Sequence, residues 1–373
     1  MSDRSQEAEV VVLGGGPAGA SAALHLARNG LPVVLLERST EPQWRIGETL
    51  GPSARPMLDT LGLLKGWSAE GHRVSPGNGS SWGSDPIQFT DFIASPYGSG
   101  WQLDRVRFER RLWTEVERHG VRLQLGTRMT QARREAGVWD VDWAGVSTSG
   151  SLRASWIIDA TGRRGEGVRR WGRGYESTDA LVAVFSRGRP SQQTSPDQEA
   201  RTWVESAPDG WWYSALPPDG HRLMAWMTDA DLVRNWPGRE REGFVEQLRM
   251  TKHLGQWADP ARYHWDEAPR ITSAQSRRAR VAVGDGWLAV GDAALSFDPL
   301  SAQGLITALL TGIRGAETSL RSLRGEREAG ATYVAGLESI WKDYRRLLYE
   351  HYAQERRWSD QPFWARRHRP PVP

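Results

Sequence analysis

Cysteine is absent from the 373 residues, which excludes disulfides, thiolate metal sites and cysteine nucleophiles. The eight histidines are scattered without an HxxxH pair, and no acidic cluster stands at ligand spacing, so we expect no metal site. No apolar run approaches the roughly 20 residues of a membrane span, and the N-terminus, MSDRSQEAEV, lacks the features of a signal peptide. These absences predict a cytoplasmic protein without a membrane segment, in which any redox chemistry belongs to a bound cofactor.

Long runs of one charge are also missing. The net charge is +3, and although the pI is near 9.3, the basic residues are spread along the chain, which disfavours nucleic-acid binding. Lysine occurs only at Lys65, Lys252 and Lys342. Tryptophan is abundant, with 20 residues against 8 tyrosines and 7 phenylalanines, and many of them lie between Trp82 and Trp265. We therefore expect an aromatic substructure in that part of the chain.

The order of strand and helix patterns predicts the fold class. Helical patterns separate several of the strand patterns, an alternation that is typical of a mostly parallel α/β sheet. The strand patterns occur at residues 9–13, 33–37, 121–125, 155–159 and 287–291. Residues 201–228 differ, because short aromatic strands flank a PPDG turn and indicate antiparallel pairing. Residues 330–357 carry a long amphipathic helical pattern, and we expect the proline-bearing tail after it to be irregular.

The strongest local signal lies at residues 9–38, which read EVVVLGGGPAGASAALHLARNGLPVVLLER. A buried strand leads into Gly14, Gly16 and Gly19 in GxGxxG spacing, followed by a helix and a second strand ending in Glu37. These glycines permit a tight turn, close approach of a pyrophosphate and close helix packing, while the acid binds a ribose. The segment predicts a dinucleotide site and leaves both NAD and FAD open.

A second signal, residues 287–312, reads WLAVGDAALSFDPLSAQGLITALLTG. It resembles the distal FAD motif of the p-hydroxybenzoate hydroxylase-like flavoproteins, which include aromatic hydroxylases, flavin-dependent halogenases and geranylgeranyl reductases. The resemblance implies FAD as the cofactor, with Asp292 on its ribityl chain. The helix opened by Pro299 to Leu305 would direct its positive end towards the pyrimidine side of the flavin ring.

Two further segments resemble this family in the same order along the chain. WRIGETLGPSARPMLDTLGLL, from Trp44, resembles the segment that places Arg45 near the pyrophosphate and Gly47-Glu48 near the ring, and WQLDRVRFERRLW resembles an arginine-bearing helix start. Together these resemblances imply a set of FAD contacts: Gly14, Gly16, Pro17, Ala18, Gly19, Glu37, Arg38, Arg45, Ile46, Gly47, Arg105, Asp292, Pro299, Gly304 and Leu305.

The source of electrons is indicated by IIDATGRRG at residues 157–165. Single-component hydroxylases of the family usually have Asp-Gly at this strand, a feature tied to NADPH use. Asp-Ala-Thr-Gly is more similar to the halogenases, which take reduced flavin from a separate reductase. We therefore expect NADH or NADPH to act indirectly, through a partner flavin reductase.

The halogenases of the family carry a catalytic lysine and a GWxWxIP motif. The stretch where the lysine would stand, residues 77–89, contains none, and arginine is not equivalent because of its fixed, delocalised charge. GWWYSALP, residues 210–217, keeps a tryptophan and the proline but has Ser214 in place of the second tryptophan. We rank halogenation below hydroxylation, and we leave open an oxidase or reductase without oxygen insertion and a flavin-bearing partner of a larger complex.

The overall pattern resembles most closely the flavoproteins that oxidise a peptidyl tryptophan during maturation of tryptophylquinone enzymes. This resemblance implies a monooxygenase in which a flavin C4a-hydroperoxide hydroxylates an electron-rich aromatic group. The expected substrate is an aromatic small molecule or a tryptophan-containing peptide or protein. Glu48 is the catalytic candidate, as a group that orients a substrate N–H or relays a proton. The substrate candidates, for which core packing is an equally good interpretation, are Trp82, Trp101, Trp212 and Trp226.

These segments predict an α/β fold: a Rossmann-like FAD domain interleaved with an antiparallel-sheet substrate domain, followed by a C-terminal helix. The FAD domain is assigned to residues 1–75, 101–180 and 270–325. The substrate domain is assigned to residues 76–100 and 181–269. Residues 326–373 form the C-terminal helix and tail.

Overall fold

The computed structural model describes residues 6–369 of the chain. The nine helices within that range are α1 (Pro17–Arg28), α2 (Arg55–Thr60), α3 (Arg105–Arg118), α4 (Glu166–Trp171), α5 (Ala230–Val233), α6 (Arg241–Arg249), α7 (Gly304–Leu323), α8 (Ala329–Tyr352) and α9 (Pro362–Arg367). The strands are β1 (Gln6–Leu13), β2 (Val33–Glu37), β3 (Thr49–Leu50), β4 (Arg73–Ser75), β5 (Gly77–Ser81), β6 (Gln88–Asp91), β7 (Gly100–Gln102), β8 (Arg122–Leu125), β9 (Arg128–Glu135), β10 (Val138–Ala144), β11 (Ser149–Asp159), β12 (Tyr175–Ser177), β13 (Leu181–Pro190), β14 (Thr202–Ala207), β15 (Gly210–Ala215), β16 (Arg222–Asp229), β17 (Tyr263–His264), β18 (Arg270–Ser273), β19 (Arg277–Ala279), β20 (Val283–Gly284), β21 (Trp287–Ala289) and β22 (Leu295–Ser296).

The first large sheet is built on five parallel strands in the order β8-β2-β1-β11-β21. β1 and β2 are apolar along most of their length, as expected of strands covered on both faces. β20 adds an antiparallel edge, and β10 and β9 extend from β11 as an antiparallel ribbon. This sheet confirms the predicted Rossmann-like α/β architecture.

The second large sheet follows the order β17-β13-β16-β15-β14-β5-β6, with β18 also paired to β13. Its pairs are antiparallel except for β14 with β5, which agrees with the hairpins predicted between residues 201 and 228. The strand β18 extends this sheet beyond the boundary that we assigned at residue 269, because it pairs with β13 rather than with the first sheet.

Two separate aromatic cores cover the two faces of the second sheet. Trp212 and Trp226 pack on one face with α6, whereas Trp211 packs on the other face with the C-terminal segment. This division follows from the alternation of side chains along β15, where neighbouring residues point to opposite faces.

We expected an irregular tail after α8, but the chain there forms the short helix α9. Phe363 and Trp364 on this helix are fully buried against the second sheet, and the burial of two large aromatic rings explains why the segment orders. Residues 370–373, with the last prolines, lie outside the described residues. Within the described chain, no helix combines the length and hydropathy needed to cross a membrane.

Glu355 attaches the C-terminal segment to the second sheet. Its buried carboxylate accepts hydrogen bonds from the Gly83 N–H at 2.8 Å, the Ser206 hydroxyl at 2.7 Å and the Arg357 guanidinium. Burial by itself would raise the pKa of this carboxyl group, but these hydrogen bonds outweigh it and hold the pKa at about 2. The ionised form is therefore the one that the fold stabilises.

We predict that Glu355→Ala lowers the melting temperature by several degrees and exposes the C-terminal segment to protease, because buried donors lose their acceptor. The stabilisation is complete above the ordinary carboxyl pKa of 4.5 and fades only as the pH falls towards 2. The difference from wild type should therefore be equal at neutral and mildly alkaline pH in thermal melts. Glu350→Ala, an exposed position on α8, is the matched control, and an equal loss in both variants would contradict the assignment.

Candidate functional site

A cavity of about 560 Å³ lies between the two large sheets. The loop after β1, the ends of β2 and β11, and the turn before α7 form one side, and strands of the second sheet form the other. The carboxyl ends of parallel strands in a doubly wound sheet are the usual place for a ligand. The cavity therefore stands where the fold favours binding.

The loop between β1 and α1 has the geometry of a phosphate-binding turn. Gly14 adopts a φ of +101°, and an added Cβ would stand 2.5 Å from the Ala160 carbonyl oxygen. A Cβ on Gly19 would collide with the carbonyl oxygen of Gly14. Gly16 is different, because an added Cβ meets nothing within 4 Å and would project into the cavity. Gly14 and Gly19 are thus required by the surrounding backbone. Gly16 is instead required by the ligand that would occupy the cavity.

Glu37 stands at the end of β2, as the motif predicted. Its carboxylate accepts the Gly15 N–H at 2.7 Å and the Ser39 N–H at 2.8 Å, which fixes its position beside the loop. A carboxylate has further lone pairs for ribose hydroxyls. Arg38, Arg128 and Arg164 also line this end of the cavity and supply positive charge suited to a diphosphate. Burial, and then the charges of Arg38 and Arg128, lower the pKa of Arg164.

The distal motif reaches the same cavity from the other end of the chain. Asp292, 3.5 Å from the Arg163 guanidinium, lines the cavity, as do Pro299 and Gly304 at the turn that opens α7. Asp298 precedes this turn and accepts a hydrogen bond from the Tyr352 hydroxyl at 2.8 Å. Burial, together with the nearby charge of Asp179, raises the pKa of Asp298 to about 6.

Fourteen of the fifteen predicted FAD contacts line this single cavity. Gly19 is the exception, because it packs against Gly14 behind the loop. Those that line it are Gly14, Gly16, Pro17, Ala18, Glu37, Arg38, Arg45, Ile46, Gly47, Arg105, Asp292, Pro299, Gly304 and Leu305. The open space beside Gly16, the carboxylate of Glu37 and the arginines near it fit the ribose and diphosphate of a flavin dinucleotide.

Glu48 lies just behind the cavity wall and is 1 % exposed. Its carboxylate accepts the Gly47 N–H at 2.9 Å and the Tyr213 hydroxyl at 2.8 Å. The Tyr213 oxygen also stands 2.8 Å from the Thr49 hydroxyl, which donates to Gln102. Tyr213 and Thr49 line the cavity, so a hydrogen-bonded path joins the buried acid to the site.

Glu48 belongs to a network of side-chain oxygens that reaches the cavity. Thr49 contacts Tyr213, Gln102 and Thr202, and Tyr213 contacts Glu48, which makes four contacts between side-chain oxygens. Burial raises the pKa of Glu48, although the hydrogen bond from Tyr213 lowers it. The pKa of Glu48 therefore lies above its usual carboxyl range.

The four tryptophans expected at the substrate do not line the cavity. Trp101 packs edge-on against Trp67 at 5.3 Å, and Trp82 donates its indole N–H to the His351 carbonyl. Trp212 and Trp226 are paired across β15 and β16 on the sheet face opposite the cavity. These side chains fill hydrophobic cores, so we do not carry forward their assignment to the substrate.

Tyr213 is the residue that sequence reasoning missed. It follows Trp212 in GWWYSALP, and the alternation along β15 turns Tyr213 towards the cavity when Trp212 faces away. A signal was present, because a tyrosine among apolar strand residues needs a polar partner. That the partner is Glu48, which lies 165 positions earlier in the chain, could not be read from the sequence.

Comparison with known proteins agrees with this geometry. The sequence pattern of the family described as "FAD binding domain" matches residues 7–328. LodB of Marinomonas mediterranea, which is named as an FAD-dependent oxidoreductase, is 30% identical over 369 residues, covering 96% of each chain. Flavin-dependent halogenase armH3 of Armillaria mellea is 28% identical over 369 residues, covering 91% of this chain and 73% of armH3.

Two solved structures share the fold. The myxobacterial chondrochloren halogenase CndH superposes with a TM-score of 0.88 at 22% identity, covering 97% of this chain and 86% of CndH. The peptidyl tryptophan dihydroxylase QhpG superposes with a TM-score of 0.76 at 23% identity, covering 97% of this chain and 78% of QhpG. At these identities the likeness establishes the fold, in agreement with the predicted architecture.

We predict that Gly16→Val leaves the melting temperature of the FAD-free protein unchanged but weakens FAD binding at least tenfold. The side chain has room in the protein alone and would occupy the space of the diphosphate. Fluorescence titration with FAD and thermal melts measure the two effects. Gly336→Ala, on α8 away from the cavity, is the control, and tight FAD binding by Gly16→Val would show that the cofactor lies elsewhere.

Proposed function

The chain belongs to the FAD-binding-domain family, and from that premise we propose that it is a monooxygenase that hydroxylates an aromatic substrate, with a tryptophan side chain in a peptide or protein as the preferred class. When bound and reduced, FAD would supply the activation of dioxygen in such an enzyme. One oxygen atom replaces a ring hydrogen of the substrate as a hydroxyl group. The other leaves as water, with two electrons from the reductant and two protons.

The main observation that favours hydroxylation over halogenation is that no lysine lines the cavity. Lys65, Lys252 and Lys342 are all exposed, and none of them lines the cavity. In the halogenases of the similar family, a lysine ammonium captures or orients hypohalous acid. The cationic side chains at this cavity are instead arginines, whose charge is fixed and delocalised, and His351, whose pKa is lowered by burial. Halogenation remains the second candidate, because relatives such as armH3 are named as halogenases.

Glu48 and Tyr213 supply the proton handling in this proposal. Glu48 holds a proton out of contact with water, and the Tyr213 hydroxyl connects it to the cavity. A proton delivered through Tyr213 would protonate oxygen as it is reduced or released. A buried store of this kind protects the reaction from uncontrolled solvent exchange.

We further propose that electrons come from a separate flavin reductase that oxidises NADH or NADPH. The strand end at Asp159 reads Asp-Ala-Thr-Gly, and the Asp159 carboxylate is occupied by the N–H of Thr161 at 3.0 Å and of Val168 at 3.0 Å. This acid stabilises the local turn, and because it is fully buried and does not line the cavity it is not placed to bind a nicotinamide ribose.

The reaction can be assigned in one experiment. The FAD-loaded protein, an NADPH-dependent flavin reductase, bromide and ¹⁸O₂ are incubated with N-acetyltryptophanamide and with tryptophan-containing peptides, and the products are analysed by mass spectrometry. We expect one ¹⁸O per product, and no flavin reduction when the reductase is omitted. A bromine isotope pattern would assign halogenation instead, and hydrogen peroxide without a modified substrate would assign an oxidase.

We predict that Glu48→Gln and Tyr213→Phe each reduce product formed per reduced flavin on the order of a hundredfold while FAD stays bound. Because burial raises the pKa of Glu48, the protonated acid persists above the usual carboxyl range, and activity should fall as the pH rises through that pKa. This alkaline limb should be absent from the pH profile of Glu48→Gln. Glu41→Gln, at an exposed position, is the control, and full coupling in both test variants would remove the pair from the mechanism.

A further inference from the structure

The wall that the second sheet contributes to the cavity is uncharged. Every lining residue on β5, β6, β13, β14, β15, β16 and β18 is polar and neutral, or apolar, whereas the charged lining residues belong to segments around the first sheet. A free amino acid would bring an ammonium and a carboxylate that need charged partners when buried. A residue inside a peptide brings only neutral amides, which this wall can accommodate.

The same wall continues without interruption to the edge of the sheet. Thr90 on β6 stands opposite Asn78 on β5, which stands opposite Thr202 on β14, and all three line the cavity. β6 is the last strand on this side of the sheet, and its four residues are exposed. The floor of the cavity therefore ends at an open sheet edge.

The main chain of β6 offers free hydrogen-bonding groups at this edge. The Phe92 N–H donates to the carbonyl of Pro76, which lies directly opposite it. In an antiparallel pair, hydrogen-bonded and non-hydrogen-bonded positions alternate, so the main chain of Thr90 bonds to β5. The main-chain groups of Phe89 and Asp91 therefore point outward, away from β5. No partner for the outward groups of Phe89 or Asp91 occurs in residues 6–369. β6 contains neither lysine nor proline, two residue types that guard sheet edges against strand addition.

Exposed apolar side chains accompany the edge. Phe89 is 54% exposed, Ile93 is 95% exposed and Tyr97 is 42% exposed, within a single stretch of nine residues. Single exposed apolar residues are ordinary, but three within β6 and the segment that follows it add apolar surface near an open edge, as in surfaces that bind another chain.

We propose that an extended segment of a peptide substrate adds to the second sheet as a new strand along β6 and so delivers an aromatic residue into the cavity. This proposal rests on the proposed function and specifies how its substrate binds. Main-chain hydrogen bonds at a sheet edge recognise any extended peptide, and the neighbouring side chains select its sequence.

The geometry separates the docking segment from the residue that reacts. An added strand would lie four strand spacings from Tyr213 on β15, which is about 19 Å at about 4.8 Å per strand. An extended chain covers about 3.4 Å per residue, so the reactive residue should lie roughly four to six residues from the paired segment. Recognition would thus depend on sequence at a distance from the modified residue.

The test compares Phe89→Pro with Phe89→Ala. Both remove the aromatic ring, but only proline removes the outward N–H and places a ring on the edge, and neither removes a hydrogen bond to β5. The FAD-loaded variants are incubated with a library of acetylated and amidated peptides in which tryptophan is fixed near one end. Peptides that stay bound to the protein after washing are quantified by mass spectrometry. The affinities of the tightest-binding peptides for each variant are then measured by fluorescence polarisation.

We expect Phe89→Pro to bind these peptides about tenfold more weakly than Phe89→Ala, and N-methylation of alternate peptide amides to cause a similar loss. FAD content and turnover of N-acetyltryptophanamide should be equal in both variants. Equal peptide affinity in the two variants, no retained peptide with the wild type, or conversion of a wild-type dimer to a monomer by Phe89→Pro would overturn the docking proposal. Failure to oxidise any indole would instead count against the proposed function, because peptide binding is measured without turnover.

Discussion

The close approach of α1 and α7 is the constraint on which the site depends. An added Cβ on Gly312 of α7 would collide with the carbonyl oxygen of Ala18 on α1, and one on Gly291 would stand 2.7 Å from the Ala18 side chain. Only glycine lets the two helices meet at this distance, and their meeting brings the turn at Gly16 and the turn at Gly304 to one cavity. The two ends of a dinucleotide can then be bound by parts of the chain almost 300 positions apart.

The cavity needs the second sheet as well as the first. Its strands close the cavity, and the hydrogen bonds from Tyr213 to Glu48 and Thr49 join the two halves of the molecule at the reacting end. This hydrogen-bonded contact is therefore a property of the interface between the sheets and of neither sheet alone. The same strands run outward to β6, so that one continuous surface connects a buried acid with an open edge.

The relatives include proteins named for halogenation and for tryptophan oxidation, and one fold clearly supports both chemistries. The flavin-binding half is built from backbone features that either chemistry requires. Where the second sheet meets the first, this chain has Tyr213 hydrogen-bonded to Glu48, and no lysine lines the cavity. In flavin enzymes the cofactor supplies the oxidising power, and the protein supplies binding, orientation and electrostatics.

The sequence by itself determined the parts of the protein that depend on local backbone geometry. Gly14, Gly19 and the acid at Glu37 could be assigned because a tight turn, a close helix contact and a strand end impose their residue types whatever surrounds them. Only the tertiary structure decided which aromatic residues meet the cavity, because a strand with large side chains on both faces, such as β15, can place either Trp212 or Tyr213 inward. It also decided that Glu48 is buried against Tyr213, since that contact joins residues 165 positions apart and leaves no periodic trace in the chain.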